Sequence, residues 1–209
     1  MALLHLDSSA HRAAESTSRQ LTAEFARRWL ARHRGAGYRY RDLAAEPVAP
    51  IGAAYCALGR RVEQHGMAPA EGLIETAAER REWALTRELV DELLASDVLL
   101  IGAPMYNYSA PAALKAWIDR VSFPGVLELA DLRVVVVTAC GGAYETSERD
   151  FLTPYLRAYF GKQGVVNLEI VTADRTLAWL VPGREPDRPA AAESLAAARA
   201  RLIHLADTV

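Results

Sequence analysis

Val98-Leu99-Leu100-Ile101 is a continuous aliphatic run, closed at once by Gly102 and Pro104. A run this short, ending in Gly and Pro, predicts a strand buried on both faces, as in a parallel sheet covered by helices. Pro104 and Pro111 then bracket a polar, aromatic loop, Met105-Tyr106-Asn107-Tyr108-Ser109. Pro111 suits the first position of a helix, where its missing N–H would have had no partner. Leu114, Trp117, Ile118 and Val121 follow at i, i+3, i+4, i+7, one face of a helix, with Lys115 and Asp119 i, i+4 apart on the other side. In open parallel sheets, ligands bind just beyond the carboxyl ends of the strands. Rings for stacking, the Asn107 amide and backbone N–H groups near a helix start suit a flat, polar-edged heterocycle better than a phosphate alone.

The same strand–loop–helix order opens the chain. Residues 2–6 are apolar and predict the first strand, ended by Asp7-Ser8-Ser9. Thr17 with Gln20 fits a capping box, and Leu21, Phe25 and Trp29 predict the buried stripe of a helix reaching about Arg34. A helix start attracts anions through its free N–H groups, and Ser9, Ser16, Thr17 and Ser18 add hydroxyl donors. Hydroxyls at a helix start also serve as plain caps. Neither GxGxxG nor GxxxxGK[ST] occurs, so a dinucleotide fingerprint and a Walker loop are excluded.

Residues 38–41 predict a second strand, and 52–69 show no clear period and predict loop with a short helical turn. Residues 70–96 predict one long charged helix, with Leu85, Leu89 and Leu93 on one face and Trp83, Val90 and Leu94 beside it. Arg133 to Thr138 is the clearest strand, β-branched almost throughout. It ends at Cys140-Gly141-Gly142, where paired glycines let a backbone approach a ligand or simply turn. Phe151–Phe160 predicts a helix capped by Thr153 and stopped by Gly161, and Val165–Val171 a fifth strand. Residues 186–208 predict the last helix, with Leu195, Ala198, Leu202 and Leu205 on one stripe. Strands alternating with helices argue for an α/β, doubly wound, five-stranded parallel sheet in a single domain, residues 1–209.

Composition excludes several functions. The chain has 209 residues, 51% hydrophobic and 24% charged, with net charge −2, so nothing favours nucleic acid or a membrane surface. No run is long enough to cross a membrane, and the N-terminus has no signal-peptide pattern. Cys56 and Cys140 form no metal-ligand spacing and a poor disulfide framework, so a cytoplasmic setting and no metal are expected. No Ser-His-Asp or Cys-His set stands at a motif spacing.

Ala103 to Ser109, with Pro111, Leu114, Lys115, Trp117, Ile118 and Asp119, resembles the flavin loop of the FMN-dependent NADH-azoreductases, members of the flavodoxin-like quinone reductases. The resemblance covers most of residues 1–172 and includes Arg41-Asp42-Leu43-Ala44 with Pro47, Pro50 and Ile51. It implies strand order 2-1-3-4-5, FMN as cofactor, NADH or NADPH as electron donor, a small aromatic acceptor such as a quinone or azo compound, and a homodimer. It also implies residue roles: Ser9, Ser16, Thr17 and Ser18 on the phosphate; Pro104, Met105, Tyr106, Asn107 and Tyr108 around the ring; Cys140, Gly141 and Gly142 at its pyrimidine side. Tyr144 is a candidate proton donor or substrate contact, or a loop aromatic packed on a neighbour. In order 2-1-3-4-5 the three loops open on one crevice.

Two departures bear on the substrate. The family carries an aromatic, glycine-containing hairpin before the fourth strand, whereas Pro124 to Leu132 here runs almost straight into it. The family also tends to have Arg at the position of Cys140, which is either a small buried filler or a reactive thiol. Both spare the cradle and change the pocket above it, which would admit a bulkier polycyclic acceptor. Two rival readings are an electron carrier with bound flavin and a tailoring enzyme that has lost the flavin.

Overall fold

A computed structural model describes residues 1–144 and 147–209. Five strands form one parallel sheet: β1 (Ala2–Asp7), β2 (Gly37–Asp42), β3 (Val98–Pro104), β4 (Arg133–Ala139) and β5 (Asn167–Ala173). Their spatial order is β2-β1-β3-β4-β5, the order the resemblance implies. The helices are α1 (Thr17–Arg32), α2 (Ala53–Gln64), α3 (Ala77–Leu94), α4 (Ala112–Val121), α5 (Leu152–Lys162) and α6 (Arg188–Thr208). No helix among the described residues is long and apolar enough to cross a membrane.

Successive strand side chains point to opposite faces, and each face has its own core. Leu4, Leu6, Leu99, Ile101, Val134 and Val136 pack under α3, α4 and α5, through side chains that include Leu93, Trp117 and Phe160. Leu3, Leu100, Val135 and Val137 pack under α1 and α6, against Phe25, Trp29 and Leu202. A fully buried aliphatic or Phe side chain contributes about 1.5–3 kcal/mol, so these two layers dominate the folding energy. β3 is buried along its whole length, which is why its sequence is apolar without alternation.

Several boundaries differ from the sequence reading, each for a local reason. β3 does not stop at Gly102 but runs to Pro104, because Ala103 and Pro104 keep pairing with Thr138 and Ala139. Residues 165 and 166 precede β5, which begins at Asn167 opposite Arg133. The segment 52–69, where loop with a short helical turn is expected, contains the 12-residue α2; its buried Tyr55, Leu58, Gly59 and Val62 stand at i, i+3, i+4, i+7, a period hidden by a glycine and a tyrosine. Residues 70–96 are a 3-10 turn, Ala70–Leu73, followed by α3. The break is set by a capping box between Thr76 and Glu79. The buried face of α3 includes Trp83, Thr86, Leu89, Val90 and Leu93, whereas Leu85 and Leu94 are exposed.

The helix caps differ as well. Ser16, not Thr17, caps α1, accepting from Arg19 N–H at 3.4 Å, while the Gln20 amide donates instead to the Ala14 carbonyl. Asp150, not Thr153, caps α5 by accepting from the N–H groups of Leu152 and Thr153 at 3.0 and 2.9 Å. α5 runs past Gly161, and the left-handed residue that follows it is Gly164. Pro111 sits just outside α4 rather than at its first position. The Leu114, Trp117, Ile118, Val121 stripe is buried as expected, and Lys115 pairs with Asp119.

Candidate functional site

The chain leaves β1 toward β2 on one side and continues through β3 on the other, so β1 and β3 flank the topological switch point. Register places Asp7 opposite Gly102, Pro104 opposite Ala139, and Ala139 opposite Ala173. The loops after β1, β3 and β4 therefore leave the sheet along one edge.

The loop after β3 is a two-residue hairpin. Tyr106 and Ser109 exchange N–H···O=C bonds of 3.0 Å each way, with Asn107 and Tyr108 at the tip. Both tip residues have positive φ, +48° and +71°. Such turns favour Asn or Gly at these positions. Asn107 fits, but an aromatic residue in the left-handed region carries strain that persists only where the surroundings enforce it. The Phe151 N–H bond to the Tyr108 carbonyl, 3.0 Å, is one such restraint. Asn107 and Tyr108 stand exposed, Met105 and Tyr106 half-buried, and Pro104 is buried at the end of β3.

Contacts tie the hairpin to both neighbouring loops. The Tyr106 hydroxyl accepts the Ala10 N–H at 3.1 Å and lies 3.4 Å from Ser9 Oγ. The Tyr108 ring meets Tyr144 edge-on, centroids 5.8 Å apart. Tyr144 in turn leans over Gly142, where an added β-carbon would come within 3.3–3.4 Å of its ring. Met105 N–H donates to the Ala139 carbonyl at 2.9 Å, and the Cys140 thiol donates to the Gly142 carbonyl at 3.4 Å. Ser9, Tyr106, Tyr108, Tyr144, Gly142 and Cys140 thus form one continuous set. Ser16 and Ser18 pair with each other, 3.2 Å between hydroxyls, at the start of α1. Thr17 is the first residue of α1, half-buried, and no hydrogen bond among the described residues joins its side chain to the set.

Sequence reasoning missed what holds the first loop. Arg19, buried on α1, donates to the Ser9 carbonyl from Nε at 3.3 Å and Nη2 at 2.7 Å. The same guanidinium forks onto Asp42 at 2.6 and 2.8 Å and reaches the Tyr40 hydroxyl at 3.0 Å. Asp7, also buried, accepts from Thr22 at 2.9 Å and Tyr40 at 3.1 Å. The hydrogen bond to Asp42 holds Arg19 firmly charged, and Arg19 in turn holds the Asp42 carboxyl below its ordinary range. Burial, with Asp7 nearby, pushes the Tyr40 phenol up, so it stays a donor. An arginine in the first turn of a helix and an aspartate at the end of a strand look solvated in sequence.

Cys140 is buried, and burial first, then Asp174 and Asp150, pushes its thiol up to about 12. Burial and a raised thiol favour the neutral filler over the reactive thiol. Beneath the hairpin is a hollow of about 240 Å3 walled by Met105, Cys140, Tyr144, Asp150 and Thr172. A larger hollow of about 480 Å3 opens between α1 and β2, lined by His5, Tyr38, Tyr40 and Arg19, and none of the sequence-predicted site residues borders it.

A doubly wound parallel sheet with a hydroxyl-rich helix start and an aromatic hairpin at its switch point defines a flavodoxin-like chain. Residues 1–202 match the Flavodoxin_2 family, described as a flavodoxin-like fold, and the chain belongs to that family. An FMN-dependent NADH:quinone oxidoreductase of Nocardia farcinica is 44% identical over 82% of this chain and 82% of its own. FMN-dependent NADH:quinone oxidoreductase 2 of Pseudomonas aeruginosa is 37% identical over 97% and 96%. Among solved structures, an azoreductase from Bacillus anthracis superposes with a TM-score of 0.84 over 100% of both chains at 18% identity, a likeness of fold.

Proposed function

We propose that this chain is an FMN-dependent NADH:quinone oxidoreductase that reduces quinones or related aromatic acceptors, azo compounds included, and that residues 1–209 act as one domain. The names of relatives at 44% and 37% identity support the activity, the cofactor and NADH as donor, with NADPH as the alternative donor. The observation that carries the reading is the Met105–Ser109 hairpin, strained at its tip and bonded to the loops on both sides.

The donor set fits FMN. Ser9, Ser16, Thr17 and Ser18 surround the N-terminus of α1, whose first N–H groups and positive dipole end suit a phosphate. Pro104, Met105, Tyr106 and Tyr108 offer flat or soft surfaces for a tricyclic ring, and Asn107 an amide for its edge. Gly141 and Gly142 bring backbone N–H groups to the pyrimidine side, beside Cys140, whose own N–H is taken by the Ala173 carbonyl at 3.0 Å. When bound, FMN supplies two-electron transfer between nicotinamide and acceptor. The protein binds and orients: Arg19 fixes the Ser9 loop, the hairpin limits how the ring lies, and Tyr144, between Tyr108 and Gly142, holds a phenolic proton at the rim. The shortened 124–132 segment runs into the start of β4, where Leu129 N–H donates to the Gln163 carbonyl at 3.3 Å, and on this reading its brevity suits a bulky acceptor. The chain works as a homodimer in the cytoplasm on this reading.

Steady-state assay tests it. NADH oxidation should require both FMN and a quinone, with parallel lines in double-reciprocal plots, as for a two-stage exchange. NADH oxidation indifferent to FMN would reject the reading.

A further inference from the structure

Three successive carbonyls of the loop after β4 are spent on the segment that follows β5. The Cys140 carbonyl accepts from Thr176 N–H at 3.0 Å and from Thr176 Oγ1 at 3.1 Å. The Gly141 carbonyl accepts from Leu177 N–H at 3.4 Å, and the Gly142 carbonyl from Arg175 N–H at 3.1 Å. All peptide bonds here are trans, so each C=O points opposite to the N–H of the next residue. The N–H groups of Gly141, Gly142 and Ala143 therefore point away from residues 175–177. Among the described residues, none of the three donates to a protein acceptor.

The segment that turns them is itself built to be rigid. Arg175 is left-handed, φ +53° and ψ +30°, a conformation that non-glycine residues adopt at a cost. Its guanidinium grips Asp174 at 2.8 and 3.0 Å, and Asp174 N–H donates to Ser194 of α6 at 2.9 Å. Leu177 lies directly on Gly141: an added β-carbon there would fall 2.5 Å from Leu177 Cδ1. Arg188 of α6 closes the far end by donating to the Ala178 carbonyl at 3.1 Å. Nothing in the spacing of residues 174–178 announces this.

Resting on the functional reading above, we propose that Arg175, through its left-handed backbone, and Leu177, through its contact with Gly141, are positioning residues that aim three N–H groups at the crevice and so set FMN affinity and the preference for its more negative, reduced form. Fixed N–H donors aimed at developing charge act without reorganising.

The test uses the full chain reconstituted with FMN, comparing Arg175→Asn with Arg175→Val. Both lose the guanidinium, but Asn tolerates the left-handed region and a β-branched residue does not. The readouts are the FMN Kd and the midpoint potential of bound FMN, with circular dichroism to confirm folding. Arg175→Asn should match the wild type within about twofold. Arg175→Val should raise Kd about tenfold, the scale of one misplaced backbone conformation, and move the potential negative. Should Arg175→Val not fold, Leu177→Ala, which leaves the backbone at 175 alone, must move both readouts the same way. Equal shifts in the Asn and Val variants would assign the effect to charge and overturn the inference. So would wild-type values in Val or, where Val does not fold, in Leu177→Ala. A wild-type chain that binds no FMN would instead remove the functional reading and this inference with it.

Discussion

A β-carbon at position 102 would sit 2.3 Å from Oδ1 of Asp7 and 3.3 Å from Cγ2 of Thr22. The glycine in β3 is therefore the space into which the buried carboxylate of β1 fits, next to the switch point. Gly102→Ala should destabilise the protein by about 1–3 kcal/mol, the usual cost of overpacking. Combined with Asp7→Ala it should cost less than the sum of the two singles, because the residues share the same volume. Urea unfolding of the four proteins checks this; strict additivity would refute it.

The Tyr106 hydroxyl is the polar link from the hairpin to the Ser9–Ala10 loop. Tyr106→Phe keeps the ring and removes that link. A net hydrogen bond contributes about 1 kcal/mol, so FMN binding should weaken about fivefold. Fluorescence titration measures it; an unchanged Kd would mean the two loops are positioned independently.

Glu79 is a carboxylate whose bonds should make the fold sensitive to acid. Its carboxylate accepts from Arg61 at 3.0 and 3.2 Å and from the N–H groups of Glu75 and Thr76 at 2.8 and 3.1 Å. Arg61 first, then the Glu75 N–H, holds it at about 2 against an ordinary 4.5. A group lowered on folding contributes stability that is complete above its unfolded value and lost as pH falls through the folded one. Stability should drop between roughly pH 4.5 and 2, and Glu79→Gln should flatten that part of the profile. Denaturant midpoints across the range decide it.

The two thiols should behave differently. Cys56 is exposed, while burial pushes Cys140 up to about 12. At mildly alkaline pH a thiol reagent should label Cys56 and leave Cys140 untouched until the protein is unfolded. Rapid labelling of Cys140 in the native protein would show a reactive thiol in the site.

The sheet was legible because buried parallel strands announce themselves as unbroken aliphatic runs: 98–101 and 133–138 lie inside β3 and β4. Helix α2 was not, since its buried stripe includes Tyr55 and Gly59, which apolar counting passes over. The hairpin could be read as a binding loop from its rings and amide, but its left-handed tip could not, because Tyr108 has no intrinsic preference for positive φ. Arg19, Asp42 and Arg175 escaped because a charged residue reads as solvated until the fold buries it or bonds it to a backbone carbonyl or carboxylate.

One titration bears most directly on the claim that three loops grip one flavin. FMN added to the FMN-free protein should bind with a stoichiometry of about one per chain, as a single site at the switch point requires. The bound flavin's visible absorbance should then bleach on anaerobic addition of NADH and return with a quinone. FMN that stays free in solution, or that binds yet resists NADH, would contradict the account.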